Sequence, residues 1–326
     1  MADKASNQTI YPNTDETGSM LFIPFRADID LSRIPFLTLL ISLACLIIYY
    51  GQYRNEQKVM TASEQFCQTG GPVMWRMVLQ RTTGAANTDA CLDMMWTIHL
   101  SDNVSAEIDK FADRGEPIAG MAKPPDKAFK YGVINQRYKS FTSAVPPYDT
   151  RELWYQPASW NVRTMITSSF AHGSWDHVIG NLFFFFAFSA TVEVILGSAA
   201  YLAVILLLSI GTNVFYSLFM MARPDALPTV GLSGVVMGIM ALFVYLMPAG
   251  RIRCLLWFLI IIRTIAVPAW MLAGWYIGWD VYHLFSSDEL SEVNLVAHVS
   301  GAGIGYLSGI LLFRKQRRHI REEMAA

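Results

Sequence analysis

The chain has 326 residues, 53% of them hydrophobic and only 16% charged, with a formal net charge of -1. A water-soluble globular domain carries nearer about 25% charge, so the composition excludes an ordinary soluble enzyme, and with it collagen, coiled coil, disorder and a small disulfide scaffold. The only dense basic cluster is the tail Arg314, Lys315, Arg317, Arg318 and Arg321, which leaves no footprint for nucleic acid.

The few charges are unevenly placed. Ile34–Tyr53, Val194–Ala222, Ala226–Gly250 and Val293–Phe313 contain no Asp, Glu, Lys or Arg, and a helix needs roughly 20 apolar residues to cross a bilayer. In chain order, residues 1–33 carry neither a basic leader nor an early apolar run and read as a cytoplasmic N-terminal segment. The first span, about Ile34–Tyr53, then acts as its own uncleaved signal. Residues 54–160 are too long for a plain connection and read as an extracytoplasmic domain, helical around Pro72–Arg81 and Asp102–Asp113. Its cysteines, Cys67 and Cys91, are the only pair on the oxidising side and form a candidate disulfide.

Five further spans follow, about Val178–Leu196, Ala199–Ala222, Leu232–Pro248, Cys254–Tyr276 and Leu295–Phe313. In hydrocarbon only helices or a closed barrel satisfy the backbone, and alternating ten-residue strands are absent. The expected fold class is an all-α membrane protein: a six-transmembrane-helix bundle (residues 34–53 and 161–314) with a large insertion between helices 1 and 2 and a basic cytoplasmic tail, 315–326. Arg251, Arg253 and the tail put both termini in the cytoplasm by the positive-inside rule, and a bacterial inner membrane is the expected location. Arg263 falls about 15 Å into the fifth span, where a charge needs a partner; Glu193 is the acidic residue available.

Polar groups in three of these spans ask for a reason. His177 and Asn181 stand four apart on one helical face, with His172 on the loop before them. Alone they fit a membrane-interface cap. Ser233 lies between Gly231 and Gly234, and Gly234 with Gly238 fits a helix-packing face. His298, Gly301 and Gly305 share one face of the last span. Two glycine faces let backbones approach closely, which brings Ser233 and His298 within reach at similar depth. Ser with His supplies a nucleophile and its general base. His177, Asn181 and the backbone N–H groups of Leu232 and Ser233 can donate to an oxyanion. No carboxylate stands out as a third member, so the pattern specifies a Ser–His dyad for acyl transfer.

These residues resemble the rhomboid family of intramembrane serine proteases. The signatures are His172-x4-His177-x3-Asn181, Gly231-x-Ser233-Gly234-x3-Gly238 and Ala297-His298-x2-Gly301-x3-Gly305, in the family's order, over roughly Trp160–Arg314. The resemblance implies Ser233 as nucleophile, His298 as base, His177 and Asn181 as oxyanion donors, His172 as a structural histidine and Glu193 as an acidic residue that stabilises the fold. It implies single-span transmembrane proteins as substrates, a lipid bilayer as surroundings, and neither metal nor other cofactor. Two positions depart from the family: Arg163-Thr164 replaces the usual loop residues, and Met237 replaces the aromatic residue under the catalytic histidine. Two other classes fit less well. An inactive rhomboid-like binder of membrane clients would normally have lost Ser233 or His298, and a haem carrier would make the serine motif accidental.

Overall fold

The computed structural model describes residues 21–28, 33–118, 120–223, 226–258, 261–286 and 294–323. Much of the N-terminal segment 1–33 and the end of the tail lie outside them. The described chain runs β1 (Leu21–Ala27), α1 (Phe36–Gln68), α2 (Val73–Thr83), α3 (Thr88–Leu100), α4 (Val104–Ala112), α5 (Lys123–Ala144), α6 (Thr150–Leu153), α7 (Val162–Thr167), α8 (Trp175–Leu196), α9 (Ser198–Met220), α10 (Ser233–Leu246), β2 (Arg251–Phe258), β3 (Ile261–Pro268), α11 (Ala269–Ser286), α12 (Leu295–Leu312) and α13 (Arg314–Glu323). It divides into two compact units, residues 48–153 and the remainder.

Residues 48–153 are helical. Trp75, Val78, Leu79, Met94, Met95, Ile98, Ile108, Phe111, Ile134 and Phe141 form their buried core. Asn87 and Asn103 cap α3 and α4 by accepting from the N–H groups of Ala90 and Ala106. A buried pair, Lys130 Nζ to Asp126 Oδ2 at 2.8 Å, holds the 114–118 loop on α5 through the carbonyls of Arg114 and Glu116 and the N–H of Ile118. Cys67, near the end of α1, is disulfide-bonded to Cys91 of α3, 24 residues on. Closing a loop of that length removes unfolded-chain entropy worth about 3 kcal/mol. Reduction of the intact protein is therefore expected to lower the unfolding temperature of this unit, read by its near-ultraviolet circular dichroism. An unchanged melt with both thiols alkylated would show that the bridge carries no load.

The other unit is a helical bundle. Four helices among the described residues are long and apolar enough to cross a membrane: α1, α8, α9 and α12. α10 is apolar but shorter, at 14 residues, and is buried from Gly234 to Phe243 among α8, α9, α11 and α12. A helix that is apolar all round belongs inside.

The protein is mostly helical, not all-α. The fifth span expected over about Cys254–Tyr276 is not one helix: its part up to Pro268 belongs to the hairpin β2–β3, and β1 from the N-terminal segment completes an antiparallel sheet in the order β1-β2-β3. A short apolar run reads alike as strand or buried helix. Here Ile252, Ile261, Ile262, Thr264, Ile265 and Val267 are β-branched and favour the pleated backbone, and Pro268 closes the strand. The fifth helix thus begins only at Ala269. The first runs beyond the expected Tyr53 to Gln68.

This shift also overturns the expected depth and partner of Arg263. Arg263 lies on β3 opposite Leu256 and is exposed. Glu193 is buried, 3% exposed, and serves another end. Its Oε1 accepts from the N–H of Leu37 at 2.9 Å, and its Oε2 from the N–H and hydroxyl of Thr38 at 2.7 and 2.8 Å. The first N–H groups of a helix have no partner within it, so a carboxylate on α8 caps α1. Glu193→Ala strands buried donors and is expected to cost about 3 kcal/mol. Arg263→Ala should stay within about 0.5 kcal/mol of wild type. Thermal unfolding in detergent checks both, and equal losses would contradict the cap.

Candidate active site

The site is assembled by glycines. The Gly234 carbonyl lies against Gly301 and the Gly238 carbonyl against Gly305, so closely that a Cβ on either α12 glycine would overlap backbone. A Cβ on Gly234 would sit 3.2 Å from the Ala297 carbonyl oxygen. Ser233 and His298 are the neighbours of that contact. Small residues are what permit such an approach between helices in a membrane.

Ser233 opens α10, where the first backbone N–H groups lack helical partners. Gly231, two residues before it, has φ of +120°, a conformation suited to glycine. Its N–H donates to the Ser168 carbonyl at 2.8 Å. A Cβ there would fall 2.8 Å from His177 Cε1 and Nε2 and 3.7 Å from Asn181 Nδ2. Both α8 side chains therefore rest on the turn that presents Ser233. The Asn181 Nδ2 is buried and finds no hydrogen-bond partner among the described residues.

Local caps fix the ends. Ser174 Oγ accepts from the His177 N–H at 3.1 Å and starts α8. Asn294 Oδ1 accepts from the Ala297 N–H at 2.9 Å and starts α12, while its Nδ2 donates to Thr229 Oγ1 at 3.0 Å. The turn before α10 and the start of α12 are thereby tied to each other four residues before Ser233 and four before His298. On α9, the Asn213 Nδ2 donates to the Met165 carbonyl at 2.8 Å and fastens α7 in place. His172 lies buried in the α7–α8 loop, its ring T-shaped to His177 at 5.1 Å and its Nδ1 3.2 Å from the Phe170 carbonyl. Burial, with His177 beside it, pushes the His172 imidazole down to about 3, so it is neutral at physiological pH.

His298 is 8% exposed, and its Nδ1 lies 2.8 Å from Asp280 Oδ2 on α11. No carboxylate stands out for this place in the sequence: with a fifth span ending near Tyr276, Asp280 falls in the following loop with Asp288, Glu289 and Glu292. The helical spacing from Trp275 through Trp279 in an apolar run that starts at Ala269 was the available signal.

Residues 159–315 match the family description of the Rhomboid domain. They form a rhomboid domain. The chain is similar to two Arabidopsis thaliana proteins, "Rhomboid-like protein 11, chloroplastic", 30% identical over 162 residues, and "RHOMBOID-like protein 12, mitochondrial", 28% identical over 164 residues. The first alignment covers 48% of this chain and 52% of the relative, the second 46% of each. The chain thus spans about half the length of the curated relatives it matches. The rhomboid domain contains α7 to α12 together with β2 and β3, and it holds Ser233, His298, His177, Asn181 and Asp280.

Proposed function

We propose that the protein is an intramembrane serine endopeptidase that hydrolyses peptide bonds of single-span membrane proteins near the outer membrane face. The observation that supports this reading most is the meeting of three helices around residues 231–234. α12 abuts the turn at Ala297, next to His298, while His177 and Asn181 from α8 rest on Gly231.

In this reading Ser233 Oγ attacks the substrate carbonyl carbon and its proton passes to His298 Nε2. The carbonyl oxygen takes up the negative charge and is held by Asn181 Nδ2, the His177 imidazole and backbone N–H groups of Leu232 and Ser233. Asn181 suits this role because its amide is a buried donor without a hydrogen-bond partner among the described residues; such a group is costly to leave unpaired unless a ligand completes it. His298 then hands the proton to the departing amine, leaving an acyl ester on Ser233. Water, deprotonated by His298, attacks that ester, and the imidazolium returns the proton to the departing Ser233 Oγ as the acid is released. Nothing in the sequence needs to supply a metal or other cofactor for these steps.

The reading also keeps both termini cytoplasmic. Arg251 and Arg253 begin β2 directly after α10, and the basic α13 follows α12, so positive charge gathers at one side. Residues 48–153 then lie outside, where a disulfide persists.

A fluorophosphonate probe offered to the protein in liposomes should label wild type and not Ser233→Ala. Absence of label on wild type, with no cleavage of a single-span test substrate, overturns the proposal in favour of a client-binding role. Losing one oxyanion donor costs on the order of 10²-fold in kcat. Asn181→Ala is expected to show that loss while retaining the label, and unchanged turnover would remove Asn181 from the site.

A further inference from the structure

We propose that Asp280 is a positioning residue for His298, making the site a hydrogen-bonded Ser233–His298–Asp280 triad in place of a dyad. The inference rests on the protease reading for its kinetic consequences, and on geometry alone for the state of the imidazole.

The contact joins Asp280 Oδ2 to His298 Nδ1 at 2.8 Å, with side chains 12% and 10% exposed. An ionised carboxylate only accepts hydrogen bonds, so it fixes the proton of a neutral imidazole on Nδ1 and leaves the Nε2 lone pair free. That is the nitrogen a base needs when Nδ1 is occupied. When the imidazole takes up the Ser233 proton, the adjacent carboxylate stabilises the resulting charge.

The surroundings make the pairing selective. From α8, His177 faces His298, and α11 brings Asp280. α9 and α10 carry no Asp, Glu, Lys, Arg or His, and α12 carries no second one. The other buried carboxylate of this unit among the described residues, Glu193, is occupied at the start of α1. Asp280 is therefore the counter-charge available to a protonated His298, and His298 is its hydrogen-bond donor. A buried carboxylate without a partner would be costly, so the pair also ties α11 to α12. A tie alone is the rival account, and it predicts different results.

Two measurements separate them. In the full chain labelled with ¹⁵N-histidine, the His298 resonances, assigned by their loss in His298→Ala, should report a neutral ring protonated on Nδ1. In Asp280→Asn the amide can donate to Nδ1, and the proton should move to Nε2. This readout stands whether or not the protein cleaves anything. An Nε2-protonated ring in wild type, or the same tautomer in both proteins, overturns the proposal. In liposomes with a single-span substrate, Asp280→Asn should lose on the order of 10³-fold or more in kcat with KM little changed. Asp280→Glu should restore part of the rate. If Asp280→Asn keeps the wild-type kcat and KM and only unfolds at lower temperature, Asp280 is a structural tie and the triad falls. Failure of wild type to label or cleave would defeat the protease reading instead, while the tautomer still decides the role of Asp280 toward His298.

Discussion

Ser233→Ala and His298→Ala are each expected to bring hydrolysis of a single-span substrate to background, a fall on the order of 10⁶-fold in kcat. The size follows from the way nucleophile and base act as one unit. Without Oγ no ester forms, and without the imidazole the hydroxyl keeps its proton, so the double variant should be no worse than either single one. Ser233 lies at the first position of α10, and removing its hydroxyl leaves the backbone of the turn and helix unchanged, so the protein should remain folded with an unchanged melting profile. Binding of uncleaved substrate should survive as well, because the oxyanion donors and the helix termini are untouched. Measuring kcat, KM and the unfolding temperature together checks all three statements. Residual turnover above about 1% of wild type in either variant would mean that another nucleophile or base operates.

Gly305→Ala is expected to break the bundle itself. A Cβ at Gly305 lands on the Gly238 carbonyl oxygen, with the Gly238 Cα only 2.8 Å away. Both are backbone, so no rotamer change relieves the overlap, and α10 and α12 must part along the seam where Gly234 meets Ala297 and Gly301. Overpacking costs about 1–3 kcal/mol where side chains can yield, and more where they cannot. Gly303 provides the control. It lies two residues away on the same helix, is exposed, and a Cβ there meets nothing within 4 Å. Gly303→Ala should therefore melt at or slightly above the wild-type temperature, since alanine is the better helix former, whereas Gly305→Ala should lose cooperative unfolding and Ser233 labelling together. Equal behaviour of the two variants would show that the glycine seam does not hold the helices in register.

The same seam shows how far the sequence reaches. Gly234, Gly238, Gly301 and Gly305 repeat at the helical period on two apolar segments, and that periodicity states which faces can touch before any coordinates exist. The charge-free runs likewise fix a membrane protein, because hydrocarbon tolerates few unpaired charges and each span needs a set length. His177 and Asn181 are legible for the same reason: four residues apart on a helix is one face, and polar groups in an apolar face call for a purpose.

What those patterns leave open is every relation set by a partner strand or a distant end. The run 251–268 is as apolar as a membrane helix. Its two halves pair with each other as a hairpin, and residues 21–27 add a third strand beside β2, because a strand satisfies its backbone through neighbours that its own apolarity does not name. That choice puts Arg263 on an exposed strand instead of a helical span and pushes the start of α11 to Ala269. The later start carries Asp280 from an acidic loop into α11, where its side chain is buried beside His298. Glu193 is similar: its charge was visible, but the N–H groups it caps belong to Leu37 and Thr38, more than 150 residues earlier. Helical period and apolarity are local properties of the chain and were determined by the sequence alone. The capping of α1 and the carboxylate at His298 join groups far apart in the chain, so only the tertiary structure decided them.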